Sequence, residues 1–149
     1  MSLAAAKAVA AVMNRDCLAH KIRQLSRVIT GIFDQALRPY DLKISQINIM
    51  AVVAARGPAE AEEVSQILNL EKSTLSRNVG RMRAKGWLTL VKRENGRGKA
   101  LALTEEGARL LVKVFPVWRE AQERAAALLG REGAAAVAEI MSVASANSG

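Results

Sequence analysis

Apolar residues recur every three or four positions along this chain as far as Gly86, and every second position just after it. That single change of period limits the fold more than any other feature, because a helical stripe and a strand alternation cannot occupy the same element. Trp87-Leu-Thr-Leu-Val91 and Ala100-Leu-Ala-Leu103 read as two short strands. Lys92–Lys99 joins them, with an Asn95-Gly96 turn at its tip. Ahead of the hairpin, a short segment opening at Glu60, Glu62 and Glu63 suits a helix N-terminus, where acids meet the positive end of the dipole. It stops at Asn69, a residue that tolerates left-handed backbone. A further helix spans about Lys72 to Lys85 and ends at Gly86. Helix, three-residue turn, helix, basic hairpin is the plan of a winged helix-turn-helix.

The flanking segments read as helices too. Leu18, Ile22, Leu25, Ile29, Phe33 and Leu37 form one face of a long helix that Pro39 ends. Ser45 is a candidate N-cap for a helix that stops near Gly57-Pro58. Thr104-Glu-Glu-Gly107 caps a long helix that Pro116 should kink, and Gly130 and Gly133 bracket a break before a last apolar helix. The expected fold is mostly α with a small β-hairpin wing, a single domain over residues 1–149. Residues 44–103 would form the winged helix-turn-helix, and 14–40 with 105–145 a helical dimerisation region from both termini. The Ala-rich start, Met1 to Met13, holds its only base, Lys7, inside the apolar stretch rather than ahead of it, unlike a secretory signal. It reads as a frayed or docked helix extension.

Charge supplies the function class. Residues 69–100 hold nine bases against Glu71 and Glu94, a net +7 of the chain's formal +8. So confined an excess is an electrostatic footprint, and DNA phosphates are its natural counterpart. On the helix from Lys72, Leu75, Val79 and Met82 make the inward stripe, leaving Ser73, Thr74, Ser76, Arg77, Gly80 and Arg81 outside. Arginine pairs bidentately with guanine, and hydroxyls bond bases or phosphates. Lys92, Arg93, Arg97 and Lys99 lie on the hairpin, whose Gly96 and Gly98 allow it to enter a narrow groove. The DNA-binding candidates are therefore Lys72, Ser73, Thr74, Ser76, Arg77, Arg81, Lys92, Arg93, Arg97 and Lys99. The plainer alternative, a solvated basic helix, does not account for a hairpin repeating the same sign.

Four quoted runs, in this order, resemble the MarR family of bacterial transcriptional regulators: Ile44-Ser-Gln-Ile-Asn-Ile-Met50, Val64-Ser-Gln-Ile-Leu-Asn-Leu-Glu-Lys-Ser-Thr-Leu-Ser-Arg77, Gly86-Trp-Leu88 and Leu103-Thr-Glu-Glu-Gly107. The resemblance covers roughly Cys17 to Leu129. It implies an obligate homodimer on a pseudo-palindromic operator in double-stranded DNA, usually a repressor released by a small molecule or an oxidant. Two departures stand out. The family's wing usually carries Asp-x-Arg, where this chain has Asn95-Gly96-Arg97, so Asn95 would bond the Arg97 guanidinium without charge assistance. Ser65 stands where such regulators often have alanine, a change expected to matter little.

Cys17, near the start of the first long helix, has two readings. It is a peroxide sensor, as in some members of the family, if Arg15 and Lys21 outweigh Asp16 in favouring the thiolate. Otherwise it is an inert apolar residue at a dimer interface. His20 with Arg23 or Arg27 could line a pocket for a small aromatic or acidic effector, or simply sit on a helix surface. Phe115 and Trp118 read as dimer-core packing. One histidine, one cysteine, and no metal-ligand spacing or phosphate loop give no support to catalysis, a metal or a cofactor. A lone cysteine suits a reducing cytoplasm, and no apolar run approaches the ~18 residues of a membrane span. Two other readings of the basic window remain: a protein-interaction module facing an acidic partner, and a non-specific nucleoid-type DNA binder.

Overall fold

The computed structural model describes residues 1–147, in the order α1 (Leu3–Asp16), α2 (Leu18–Leu37), α3 (Ile44–Arg56), α4 (Ala61–Leu68), α5 (Lys72–Ala84), β1 (Leu88–Lys92), β2 (Lys99–Leu103) and α6 (Glu105–Asn147). A single 3-10 turn, Arg38–Tyr40, follows α2, with Pro39 inside it. The strands pair antiparallel from Leu88 opposite Leu103 to Lys92 opposite Lys99. No helix of the described residues is long and apolar enough to cross a membrane.

One cluster of buried side chains unites the helix-turn-helix with the hairpin and α6. Ile49, Met50 and Val53 of α3 meet Val64, Leu75 and Met82 of α4 and α5, and Val114 closes the cluster from α6. Leu75 and Met82 are buried and Val79 packs against them, as the inward stripe requires. A second, smaller cluster joins α2 to α6 through Phe33, Ala121 and Ala125. Helices α3, α4 and α5 therefore bury the faces that their sequence periods mark out, whereas the first half of the α2 face, Leu18 and Ile22, stays exposed.

The turns follow local chemistry. Asn69 takes left-handed backbone at φ 52° and ends α4. Gly86 does the same after α5 at φ 78°. Thr104 then ties three elements together. Its hydroxyl donates to the Gly86 carbonyl at 2.5 Å and accepts the Gly107 N–H at 3.0 Å, capping α6 against the end of α5.

Several expectations need correction. The N-cap of α3 is Lys43, not Ser45. The job of Ser45 is done from outside the helix, since Asp34 of α2 accepts the Ile44 N–H at 2.8 Å. Gln46 adds a second bond, its Oε1 accepting the Lys43 N–H at 3.0 Å. The Ala-rich start is a formed helix, not a frayed one: Ser2 caps α1 by accepting the Ala5 N–H at 3.2 Å, and every residue of α1 is exposed on this chain. The break in α6 falls at Gly130, with φ 73° and ψ 168°, and Pro116 stays within the helix.

Candidate nucleic-acid interface

Helix α5 rests on the core through Leu75 and Met82, and this fixes what its other side presents. Ser73, Ser76, Arg77, Gly80 and Arg81 are exposed, and Thr74 is half-buried, its carbonyl accepting a bond from Asn78 at 3.2 Å. A Cβ at Gly80 would meet nothing within 4 Å, so the chain's own packing does not require glycine there. The wing turns back through two backbone bonds, Gly96 N–H to the Arg93 carbonyl at 2.9 Å and Arg93 N–H to the Gly98 carbonyl at 3.3 Å. Gly96 and Gly98 both hold positive φ, near 71° and 72°, which a side chain would strain. Residues Lys92, Arg97 and Lys99 are exposed.

The basic window divides by its ion pairs. Lys85 pairs with Asp41 and also lies 4.8 Å from the centroid of the Trp87 ring, bracing the end of α5 against the loop after α2. Arg93 pairs with Glu60. Among the described residues the other seven, Lys72, Arg77, Arg81, Arg83, Lys92, Arg97 and Lys99, make no ion pair. Three of them, Lys72, Arg83 and Lys99, line a cleft of about 440 Å³ between α4, α5 and the hairpin. Unneutralised cations on one helix and on the wing beside it form a surface for a polyanion, since binding need not first break internal pairs.

Not every sequence-marked residue joins that surface. Arg93 is half-buried and committed to Glu60, a partner that the sequence reading missed because only the folded hairpin brings the two together. Asn95 accepts the backbone N–H of Arg97 at 3.0 Å, so it shapes the turn instead of holding the guanidinium. Arg83 and Lys85 lie in the same basic run but were not singled out. The spacing placed them toward the end of α5, and the roles they take here depend on the hairpin and on Asp41.

Cys17, His20, Arg23 and Arg27 lie elsewhere, all exposed on or beside the first half of α2. Cys17 stands at the extended joint between α1 and α2, with φ −65° and ψ 107°. Its neighbour Arg15 donates two bonds of 2.8 Å to Asp16, which raises the guanidinium pKa and spends that cation locally. An open apolar cleft of about 270 Å³ lies instead between α3 and α6, beside Phe115 and Trp118. Trp118 contacts Phe33 at 6.5 Å between ring centroids and Phe115 at 5.8 Å, and Phe115 itself stays 51% exposed.

Comparison with known proteins bears on this arrangement. The sequence model described as the MarR family matches residues 40–98, the stretch from the end of α2 to the wing. Over those residues the chain is similar to the MarR family. The transcriptional regulator YwoH of Bacillus subtilis is 32% identical over 89 residues, covering 60% of this chain and 65% of that protein, a little under two thirds of its length. The M. tuberculosis transcriptional regulator MosR superposes with a TM-score of 0.74 at 27% identity, covering 88% of this chain and 97% of that one. A mutant MarR from E. coli, solved in complex with operator DNA, superposes with a TM-score of 0.78 at 18% identity, covering 89% and 96%. At that identity the last comparison speaks for the fold, a MarR-type winged helix.

Proposed function

We propose that this protein is a cytoplasmic, homodimeric regulator of transcription that binds a pseudo-palindromic DNA operator, acts as a repressor, and is released by a small molecule or an oxidant. It is not an enzyme. The observation that carries the reading is the division of the basic window: seven of its nine cations are unpaired among the described residues, and they lie on α5 and the wing. The hydroxyls of Ser73 and Ser76 stand among them on the exposed side of α5. Cations alone would bind any duplex, and hydroxyls interleaved with arginines add groups that can read base edges. The DNA-binding residues are Lys72, Ser73, Thr74, Ser76, Arg77, Arg81, Lys92, Arg97 and Lys99. The match of residues 40–98 to the MarR family and the operator complex of the similarly folded E. coli MarR support the reading.

The experiment is selection of bound duplexes from a random pool, followed by titration of the selected and a scrambled duplex. A selected sequence with two related half-sites, bound at least about a thousand-fold more tightly than the scrambled one, is the expected result. Equal affinity for both would make the protein a non-specific DNA binder. No affinity for either would leave the basic surface for an acidic protein partner. For the effector, the apolar cleft between α3 and α6 offers rings to stack against, which suits a small aromatic ligand.

A further inference from the structure

Arg93 carries the same charge as its neighbours on the wing but is used differently. Its guanidinium reaches back to the carboxylate of Glu60, the residue immediately before α4. Glu60 makes no side-chain cap bond to its own helix, so its carboxylate is given over to this pairing. Backbone bonds bring the two segments together at the same place. Ala59 and Leu101 exchange N–H···O bonds of 2.8 Å in both directions, adding a one-residue third strand to the edge of the hairpin. The Arg93 side chain also runs beneath the wing turn: a Cβ built on Gly98 would lie 3.6 Å from its Cδ. From Arg93 outward the hairpin has no further ladder pair among the described residues, and Arg97 lies beyond it, while Lys99 stands opposite Lys92 just inside.

We propose that Arg93 is a positioning residue, whose ion pair with Glu60 anchors the wing to the start of α4 and so holds Arg97 at the angle from which it meets DNA. The inference rests on the DNA-binding reading above and deepens it, since it removes one cation from the contact surface and makes it a strut. A phosphate-contacting Arg93 and a strut respond oppositely to loss of Glu60. Glu60→Gln would release a contacting arginine, tightening binding to any duplex and steepening its salt dependence. The same substitution frees a strut, loosens the wing and weakens binding.

The test uses the full-length protein, its selected operator and a scrambled duplex, with Glu60→Gln, Arg93→Glu and the exchange Glu60→Arg with Arg93→Glu. Hydrogen exchange at the Arg93 and Gly96 amides is followed without DNA. The strut predicts faster exchange in Glu60→Gln, together with about five-fold weaker operator binding, the scale of a half-exposed ion pair. Arg93→Glu should be weaker still, because it sets two carboxylates against each other. The exchanged pair should recover at least half of that loss, although an arginine before α4 is less favourable there than an acid. Unchanged amide exchange in Glu60→Gln would overturn the proposal, as would an exchanged pair no better than Arg93→Glu alone. Faster amide exchange with undiminished affinity for both duplexes would uphold the anchor and overturn the role of the wing in DNA binding.

Discussion

Gly107 shows how much a single residue can decide. A Cβ there would sit 2.2 Å from the Trp87 carbonyl oxygen and 2.9 Å from Leu103 Cδ1, so any side chain must push the start of α6 off the hairpin. Gly107→Ala should lower stability by about 2 kcal/mol, seen as a drop in the denaturant midpoint at constant m-value. Ser65 is the reverse case. Such regulators often have alanine there, and the change was expected to matter little, yet Ser65 is 7% exposed and its hydroxyl has no hydrogen-bond partner among the described residues. An unpaired buried hydroxyl costs free energy, so Ser65→Ala should raise stability by about 1 kcal/mol in the same titration. Cys17 is exposed on this chain, and its nearest basic neighbour in sequence is tied to Asp16. With that cation spent, Cys17→Ser should bind the operator as wild type does and respond alike to peroxide. A peroxide release that disappears in the mutant would instead identify Cys17 as the sensor.

Among the elements, those with a strong period were legible and those settled by tertiary contact were not. The helix-turn-helix, its αL stop at Asn69 and the two strands follow from patterns within a few residues of each other. The start of α3 does not, because its cap is a carboxylate ten residues upstream on α2. A kink was expected at Pro116 and a break between Gly130 and Gly133, and only Gly130 leaves helical geometry. Pro116 costs the helix the bond to the carbonyl of Val112, but Val112 is 76% exposed and water can replace that bond. Gly130 occupies a region that side chains essentially never enter. In the candidate site, α5 was read correctly as a two-sided helix, whereas the Glu60–Arg93 pair joins residues 33 apart and left no local trace. The two basic elements should separate in function. Arg77→Ala, on the outer face of α5, should cost ~1–3 kcal/mol per half-site and relax preference at one base position. Arg97→Ala, at the wing tip, should weaken binding with less loss of selectivity and lower the salt slope by about one unit per subunit. Titrations of both mutants against operator and scrambled duplexes at several salt concentrations distinguish these outcomes, and equal losses on both duplexes would mean that the surface reads charge alone.

For the whole molecule, the question is what covers the apolar surface that one chain leaves open. Leu18, Ile22 and Val28 on α2, and Val137, Ile140 and Met141 beyond Gly130, are each more than two-fifths exposed. Helix α1 adds Leu3, Val9 and Met13 without burying a residue of its own. A 14-residue helix that buries none of its residues is marginal in water, and scattered single apolar residues would be ordinary, but three helices exposing apolar faces from both termini are not. A second copy covering these faces satisfies all three at once and places two winged helices in one particle. Sedimentation at micromolar concentration should therefore give a dimer with no folded monomer. The dimer in turn fixes the DNA: its two α5 helices should engage half-sites about one helical turn apart, ~10 base pairs from centre to centre. Inserting five base pairs between the selected half-sites turns one of them to the far side of the duplex. Affinity should then fall to that of a single half-site, and a ten-base-pair insertion, which restores the face but not the distance, should recover little. A stable, well-folded monomer, or binding indifferent to half-site spacing, would show that the apolar faces serve something other than self-association and that each winged helix acts alone.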